Sequence, residues 1–350
     1  MKRRLIWTLV ILILAAAGAA SGFLLYIGSS LKPMPASKEA KRIVYPAGMS
    51  TTELSSLLEA EGLIRSGSVF TWYLKYKKQG ARFQAGEYEM TPGLTPDQII
   101  ERLNQGQTVK EDTLKLTVPE GYTVRQIAEK LQSIGIGADA FLQAAQQFKG
   151  AQGSVAAQIP EQPAIRTRLE GYLFPDTYEW KKDVRPEEIV ETMAGELDTK
   201  LAQFPDWQAA LQKRGLTVHQ LLTVASLIER EVALEEERPL VSSVIYNRLQ
   251  KGMPLQIDAT VQYLFDKPKE RLLEKDLQLE SPYNTYLHPG LPPGPIASPS
   301  LASIRAALYP VETKYLFYVT KKDGSKGHLF AETYEQHQKN IADSKKAATP

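Results

Sequence analysis

The chain has 350 residues, enough for about two folded domains at roughly 150 residues each. Its 42 Lys and Arg against 40 Asp and Glu leave a formal charge of +2, without the basic excess expected of a nucleic-acid binder. It has no cysteine, which excludes disulfides, Cys-ligated zinc, iron–sulfur clusters, thiol nucleophiles and lipid attachment at an N-terminal Cys.

At the N-terminus, Lys2, Arg3 and Arg4 precede an uncharged, mostly apolar run over 5–27. A single helix of about 20 residues crosses a bilayer, and the basic flank keeps the N-terminus in the cytoplasm. Residues 1–31 are therefore expected to be a single-pass anchor in the inner (cytoplasmic) membrane, with the rest of the chain outside. Small residues over 15–20 also suit a cleaved signal peptide, but the apolar run continues through Phe23, Leu24, Leu25, Tyr26 and Ile27. Either way the bulk of the chain is exported. Residues 32–41, with Pro33 and Pro35, read as a juxtamembrane linker.

A weak repeat follows. Gly48-Met49-Ser50, Gly93-Leu94-Thr95 and Gly121-Tyr122-Thr123 share Gly-x-Ser/Thr, each with a proline just upstream. Each continues as a capping box, Ser50 with Glu53, Thr95 with Gln98 and Thr123 with Gln126, before a helical apolar pattern. The first unit reads as a strand at 43–45, helices at 50–61 and 69–78, and a strand at 88–90. That β-α-α-β order resembles a LysM module over 42–110, either a glycan binder or a spacer. Residues 111–155 read as a connecting strand–helix unit, and the polar stretch 150–162 as a domain boundary.

The second domain, 160–345, opens with Leu169-Glu170-Gly171-Tyr172-Leu173-Phe174-Pro175. Helices are predicted from Pro186 to about Leu201, from the Thr217/Gln220 capping box to about Leu234, from Pro239 to Gly252, and from Ser298-Pro299. Strands at 315–319 and 328–330 flank a Gly-containing turn, and Thr333 with Gln336 caps the last helix. Strands and helices do not alternate strictly, so the class is α+β.

The strongest candidate for chemistry is Ala225-Ser226-Leu227-Ile228-Glu229-Arg230-Glu231-Val232. On a helix, Glu231 falls under Leu227 and Val224, in an apolar stripe that raises a carboxyl pKa and suits a general acid. Glu229 lies about 200° around the helix and is a rival. Both acids also read as ordinary solvated helix residues beside Arg230. Amides, aromatics and a carboxylate in the irregular segments 255–260 and 281–286 suit sugar binding, or serve turns alone. Pro289-Gly290-Leu291-Pro292-Pro293-Gly294-Pro295 reads as a rigid loop wall.

Six ordered segments, 170–178, 225–231, 246–249, 255–260, 282–286 and 290–296, together resemble the endolytic murein transglycosylase family (MltG-type, YceG-like). The resemblance covers nearly the whole chain. It departs at Ile257 and Ala259, where a small polar residue and a proline are usual, and at Ser298 and Ser300, where Asn and Gly are common. It implies an endolytic lytic transglycosylase that cleaves the MurNAc–GlcNAc bond in nascent peptidoglycan strands. Such cleavage leaves 1,6-anhydroMurNAc ends and limits strand length. It implies Glu231 as the catalytic acid/base. Glu170, Tyr172, Asn247, Arg248, Gln256, Asp258, Thr260, Tyr283, Asn284, Thr285 and Tyr286 are expected along the glycan cleft. The partners implied are glycan strands and the peptidoglycan synthases of the elongation or division machinery. No cofactor is expected, and His219, His288, His328 and His337 show no metal-ligand spacing. Two other readings stand beside this one. One is a hydrolase of the same polymer with Asp258 or Glu170 as second carboxylate; the other is a non-catalytic glycan-binding scaffold.

Overall fold

The computed structural model describes residues 2–109 and 112–347. The chain divides into two compact units, 1–111 and 112–350. The expected domain boundary at 110–111 lies outside the described residues.

The first unit begins with α1 (Lys2–Ser30). Within it, Leu12–Ser30 has a mean hydropathy of 1.8 and no buried residue, so by length and composition it is able to cross a membrane. Strand β1 (Lys41–Tyr45) pairs antiparallel with β2 (Gly86–Met90), Ile43 opposite Tyr88. Between them run α2 (Thr51–Ala60) and α3 (Gly67–Tyr76), and α4 (Pro96–Gln105) follows. The β-α-α-β order is thus present. Its core is Ile43, Leu54, Leu58, Phe70, Leu74, Tyr88, Met90, Ile99 and Leu103. The two helices meet so closely that a Cβ on Gly67 would stand 2.8 Å from the Ser55 carbonyl oxygen.

The second unit opens with β3 (Thr113–Thr117), α5 (Val124–Gln132) and α6 (Ala138–Gln147). Expected as a connection, this segment is instead built into the second unit. β3 pairs antiparallel with β4 (Thr177–Lys181), Leu116 opposite Tyr178. Leu116, Ile127, Leu131 and Phe141 belong to the same apolar cluster as Leu221 and Leu227. Then come α7 (Pro186–Leu201), α8 (Trp207–Arg214) and α9 (Val218–Glu231). After them are α10 (Arg238–Gln250), the short α11 (Asp258–Gln262) and α12 (Leu301–Leu308). Hairpin β5 (Phe317–Thr320) and β6 (His328–Ala331) and helix α13 (Tyr334–Ala347) close the unit. The mixed α+β class holds.

Several helix ends differ from the sequence expectation by two or three residues, α3 running over Gly67–Tyr76 rather than 69–78, and two of the differences have a local cause. α9 stops at Glu231 rather than near Leu234, because Val232 turns extended and buries its side chain. α12 starts at Leu301, since the side chain of Ser300, not Ser298, accepts the first-turn N–H, that of Ser303.

Candidate active site

Helix α9 is the spine of the site. The Thr217 hydroxyl accepts from Gln220 N at 3.2 Å, and Gln220 Oε1 accepts from Thr217 N at 2.9 Å. Between Val218 and Ile228 every residue except Gln220 is buried, so neighbours on all sides fix the helix's rotation. Packing therefore decides where Glu229 and Glu231 point as the helix leaves the core.

Glu231 is the last residue of α9. The open carbonyls of a final turn carry the negative end of the helix dipole, which disfavours a carboxylate there. Burial is the largest cause holding its carboxyl above the ordinary glutamate range, and Asp258 pushes the same way. Against them work the Tyr318 hydroxyl, which donates to Glu231 Oε2 at 2.8 Å, and the more distant His328 and Arg230. Glu231 still keeps part of its surface open to solvent. Glu231 is thus a crowded residue, partly open to solvent, whose carboxyl is biased toward its protonated form.

Four predicted residues form a connected group beside it. Asp258, at the start of α11, is exposed and accepts a hydrogen bond from the Tyr286 hydroxyl. Burial and the charges of Asp258 and Glu231 keep that hydroxyl protonated, with its pKa well above the usual tyrosine range. Arg248 donates to the carbonyls of Leu316 at 2.6 Å, Pro254 at 3.1 Å and Leu255 at 2.8 Å, and lies 5.2 Å above the Phe317 ring. It therefore ties the 254–256 loop to the start of β5. Gln256, exposed and with a positive φ of 54°, approaches Arg248 at 3.4 Å.

A profile of the YceG-like family matches residues 43–343 of this chain. The chain belongs to the YceG-like family. Among its relatives is an endolytic murein transglycosylase of Bacillus subtilis, 37% identical over 91% of this chain and 89% of that protein. One of the same name from Streptococcus pneumoniae is 34% identical over 96% of this chain, which spans 64% of the longer streptococcal protein. A crystal structure of a yceG-like protein from Listeria monocytogenes superposes with a TM-score of 0.58 at 35% identity, covering 87% of this chain and 99% of that one.

Within this YceG-like chain, other predicted site residues serve as framework. Asn247 Nδ2 donates to the carbonyls of Thr313 and Tyr315, both at 2.9 Å. Thr260 and Thr285 are buried, their hydroxyls 3.0 Å apart, and Thr285 Oγ1 accepts from Ile257 N. Asn284 is fully buried and donates to Leu277 and Leu279 carbonyls at 2.9 and 2.8 Å. Tyr283 is buried, tilted against Tyr263, and its oxygen accepts from Arg166 N at 3.3 Å. Thr260, Tyr283, Asn284 and Thr285 are buried and present almost no surface to a glycan, whereas Asn247 is partly exposed and holds the segment before β5.

Glu170 and Tyr172 lie elsewhere. Glu170 is buried, accepts from Val124 N at 3.0 Å and from the Tyr263 hydroxyl at 3.1 Å, and is pushed by burial to about 7. With Arg166, Arg230 and Tyr263 it lines a cavity of about 140 Å³. Tyr172 is fully buried, its hydroxyl 2.8 Å from His219 Nδ1, whose Nε2 lies 2.8 Å from the Pro293 carbonyl. That contact, with Ile296 N donating to Ser226 Oγ at 3.0 Å, pins the proline-rich loop against α9.

Sequence reasoning missed Tyr318 and the pair behind it. His328 packs edge-on to the Tyr318 ring at 5.3 Å. Its Nδ1 is 2.6 Å from Glu237 Oε2, and its backbone N donates to Glu237 Oε1 at 2.8 Å. Tyr318 follows Glu231 by 87 residues, so no local pattern links them. The sequence signal available was a tyrosine on an inferred strand.

Tyr318→Phe removes the donor that lowers the Glu231 pKa, so that pKa should rise further. A general acid loses activity as pH rises through its pKa, so the alkaline limb of the pH–rate profile should move to higher pH. The loss of one donor hydrogen bond to the carboxylate is the only change made, so the direction of that movement is the expected outcome. An unmoved limb measured in parallel with wild type would show that Tyr318 does not govern Glu231.

Proposed function

We propose that this chain is an endolytic lytic transglycosylase of peptidoglycan, held at the cytoplasmic membrane by α1 with the remainder outside. The observation that carries the reading is Glu231, a carboxyl biased toward protonation by burial, at a solvent-reachable helix end. Its relatives' shared name, endolytic murein transglycosylase, supports the substrate class.

In this reading protonated Glu231 gives its proton to the oxygen leaving between MurNAc C1 and GlcNAc. The C1–O bond breaks. The Glu231 carboxylate then takes the proton of the muramic C6 hydroxyl, whose oxygen bonds to C1. Glu231 is reprotonated and the new end is a 1,6-anhydro sugar. Because the nucleophile belongs to the substrate, one acid/base suffices where ordinary glycosidases need two carboxylates. Gln256, Asp258, Tyr286 and Arg248 are the residues we assign to glycan contact. The β-α-α-β module is read as LysM-like, and synthases of the wall-building machinery as partners in cutting nascent strands.

Purified full-length protein should convert uncrosslinked nascent glycan into shorter strands whose ends are anhydro by mass spectrometry. Activity should persist with EDTA, since no group of three potential metal-ligating side chains occurs among the described residues. Asp258 beside Glu231 favours one competitor, a hydrolase with Asp258 as second carboxylate. Free reducing ends would establish that reading instead; an inert protein would leave a scaffold.

A further inference from the structure

Helix α3 carries two faces of different character. Val69, Phe70 and Leu74 are buried in the core of the first unit. Trp72 and Tyr76, one turn apart, point outward with 50% and 70% of their surface exposed. Their rings stack at 5.6 Å with an interplanar angle of 10°, forming one flat apolar plate. Nothing in the fold of this unit requires that plate, because its core is closed without it.

Charge marks the same region. From 62 to 86 the chain has Arg65, Lys75, Lys77, Lys78 and Arg82 and no acidic residue. Lys75, Lys77, Lys78 and Arg82 are exposed. The acids that approach from other elements are few. Asp97 of α4 lies 3.6 Å from Lys77, and Glu59 of α2 accepts from Gly67 N at the start of α3. The surface around the aromatic plate is therefore basic.

The tether is short. α1 ends at Ser30, and only three residues later Arg65 Nη2 donates to the Pro33 carbonyl at 3.2 Å. Arg65 stands two residues before α3. Ser37 N donates to the Pro92 carbonyl at 3.3 Å, holding the next stretch of the linker on the module. Three residues span at most about 11 Å, and α3 is about 15 Å long. The foot of α3 is thus fixed close to the point where α1 leaves the bilayer, if α1 is the anchor.

We propose that the Trp72–Tyr76 face of α3 docks on the anionic lipid headgroups of the membrane that α1 crosses. The proposal rests on the reading of α1 as an anchor. Trp and Tyr settle at the headgroup level, where an apolar ring and a polar atom are both accommodated. Lysine and arginine near an anionic surface each strengthen attachment by roughly five-fold. The tether makes docking intramolecular, so a modest interfacial patch suffices. A single crossing helix leaves the module free to swivel; a second contact through α3 sets which face of the unit turns to the lipid. A flat ring plate also suits a sugar face, but the basic surround and the short tether favour lipid.

The cysteine-free sequence allows single spin labels on the full chain. Ser68, exposed and on the same face of α3, takes the probe without removing either ring or any lysine. Glu101 on α4 serves as the water-exposed control, and Leu14 in α1 as the lipid control. Full-length Ser68→Cys, Glu101→Cys and Leu14→Cys proteins are placed in nanodiscs of phosphatidylcholine with or without phosphatidylglycerol. Collision with oxygen and with a water-soluble nickel chelate is then compared. The label at 68 should gain oxygen and lose nickel accessibility in anionic discs, and much less so in zwitterionic ones. Lys75→Gln with Lys78→Gln should shift the docked-to-free ratio by roughly 30-fold toward free, and Trp72→Ala with Tyr76→Ala should expose the label. A label at 68 that stays in water while the one at 14 is in lipid overturns docking and leaves the anchor standing. Water around both overturns the anchor, and docking with it. Protection at 68 only on adding glycan strands assigns the plate to sugar and also overturns the proposal.

Discussion

Glu231→Gln should reduce release of anhydro-ended fragments by about 10³ to 10⁴-fold, the upper part of the range for loss of general acid–base catalysis. The amide keeps the size of the carboxyl and an oxygen for Tyr318 to donate to, but it neither gives nor takes the proton. One group would serve both proton transfers, which is why the larger figure applies. Folding should be unharmed. Burial raises the folded-state pKa of Glu231 above its unfolded value, so the native state is favoured at low pH and loses that advantage as pH rises through the folded pKa. An amide cannot ionise, so at neutral pH the variant should melt at the wild-type temperature or slightly above. Near-normal cleavage by a well-folded Glu231→Gln protein would remove Glu231 from the catalytic role.

Glu229→Ala should act on stability instead. Glu229 Oε2 accepts from Arg238 at 3.1 Å and from Ser300 N at 2.9 Å, and the Ser300 hydroxyl bonds the same oxygen. The two charged side chains are only 7% and 12% exposed. Glu229 thus joins the end of α9, the start of α10 and the N-cap of α12. Removing one partner of a buried pair leaves an uncompensated charge and costs about 3–5 kcal/mol. For a unit of this size that corresponds to a fall in Tm of roughly 6–20 °C. Glu229→Leu combined with Arg238→Leu should recover part of the loss, because both charges leave together. Activity per folded molecule should fall far less than in Glu231→Gln. A Glu229→Ala protein of wild-type stability that cannot cleave would exchange the roles of the two acids.

Elements whose signals are local are legible in the order of the residues alone. The capping boxes at Ser50, Thr95, Thr123 and Thr217 form as read, since each needs only hydrogen bonds between residues three apart, and Thr333 accepts from Gln336 N in the same way. The bounds of α7 and the β-α-α-β order of the first unit are equally local, set by prolines, glycines and apolar spacing. The family resemblance likewise needed only ordered motifs along the chain. The tertiary structure decided what depends on distant partners. β3 joins the second unit because it pairs with β4, whose residues lie 60 to 68 positions onward. Both acids at the end of α9 are equally visible in the sequence. Only the α10 and α12 termini make Glu229 a brace, and only tertiary burial, aided by Asp258 from α11 and opposed by Tyr318 from the β5–β6 hairpin, makes Glu231 a perturbed carboxyl. Sequence spacing places the two carboxyl groups on different sides of a helix. Which side meets a guanidinium and which meets a tyrosine hydroxyl and an aspartate depends on burial and on charges brought in by the fold.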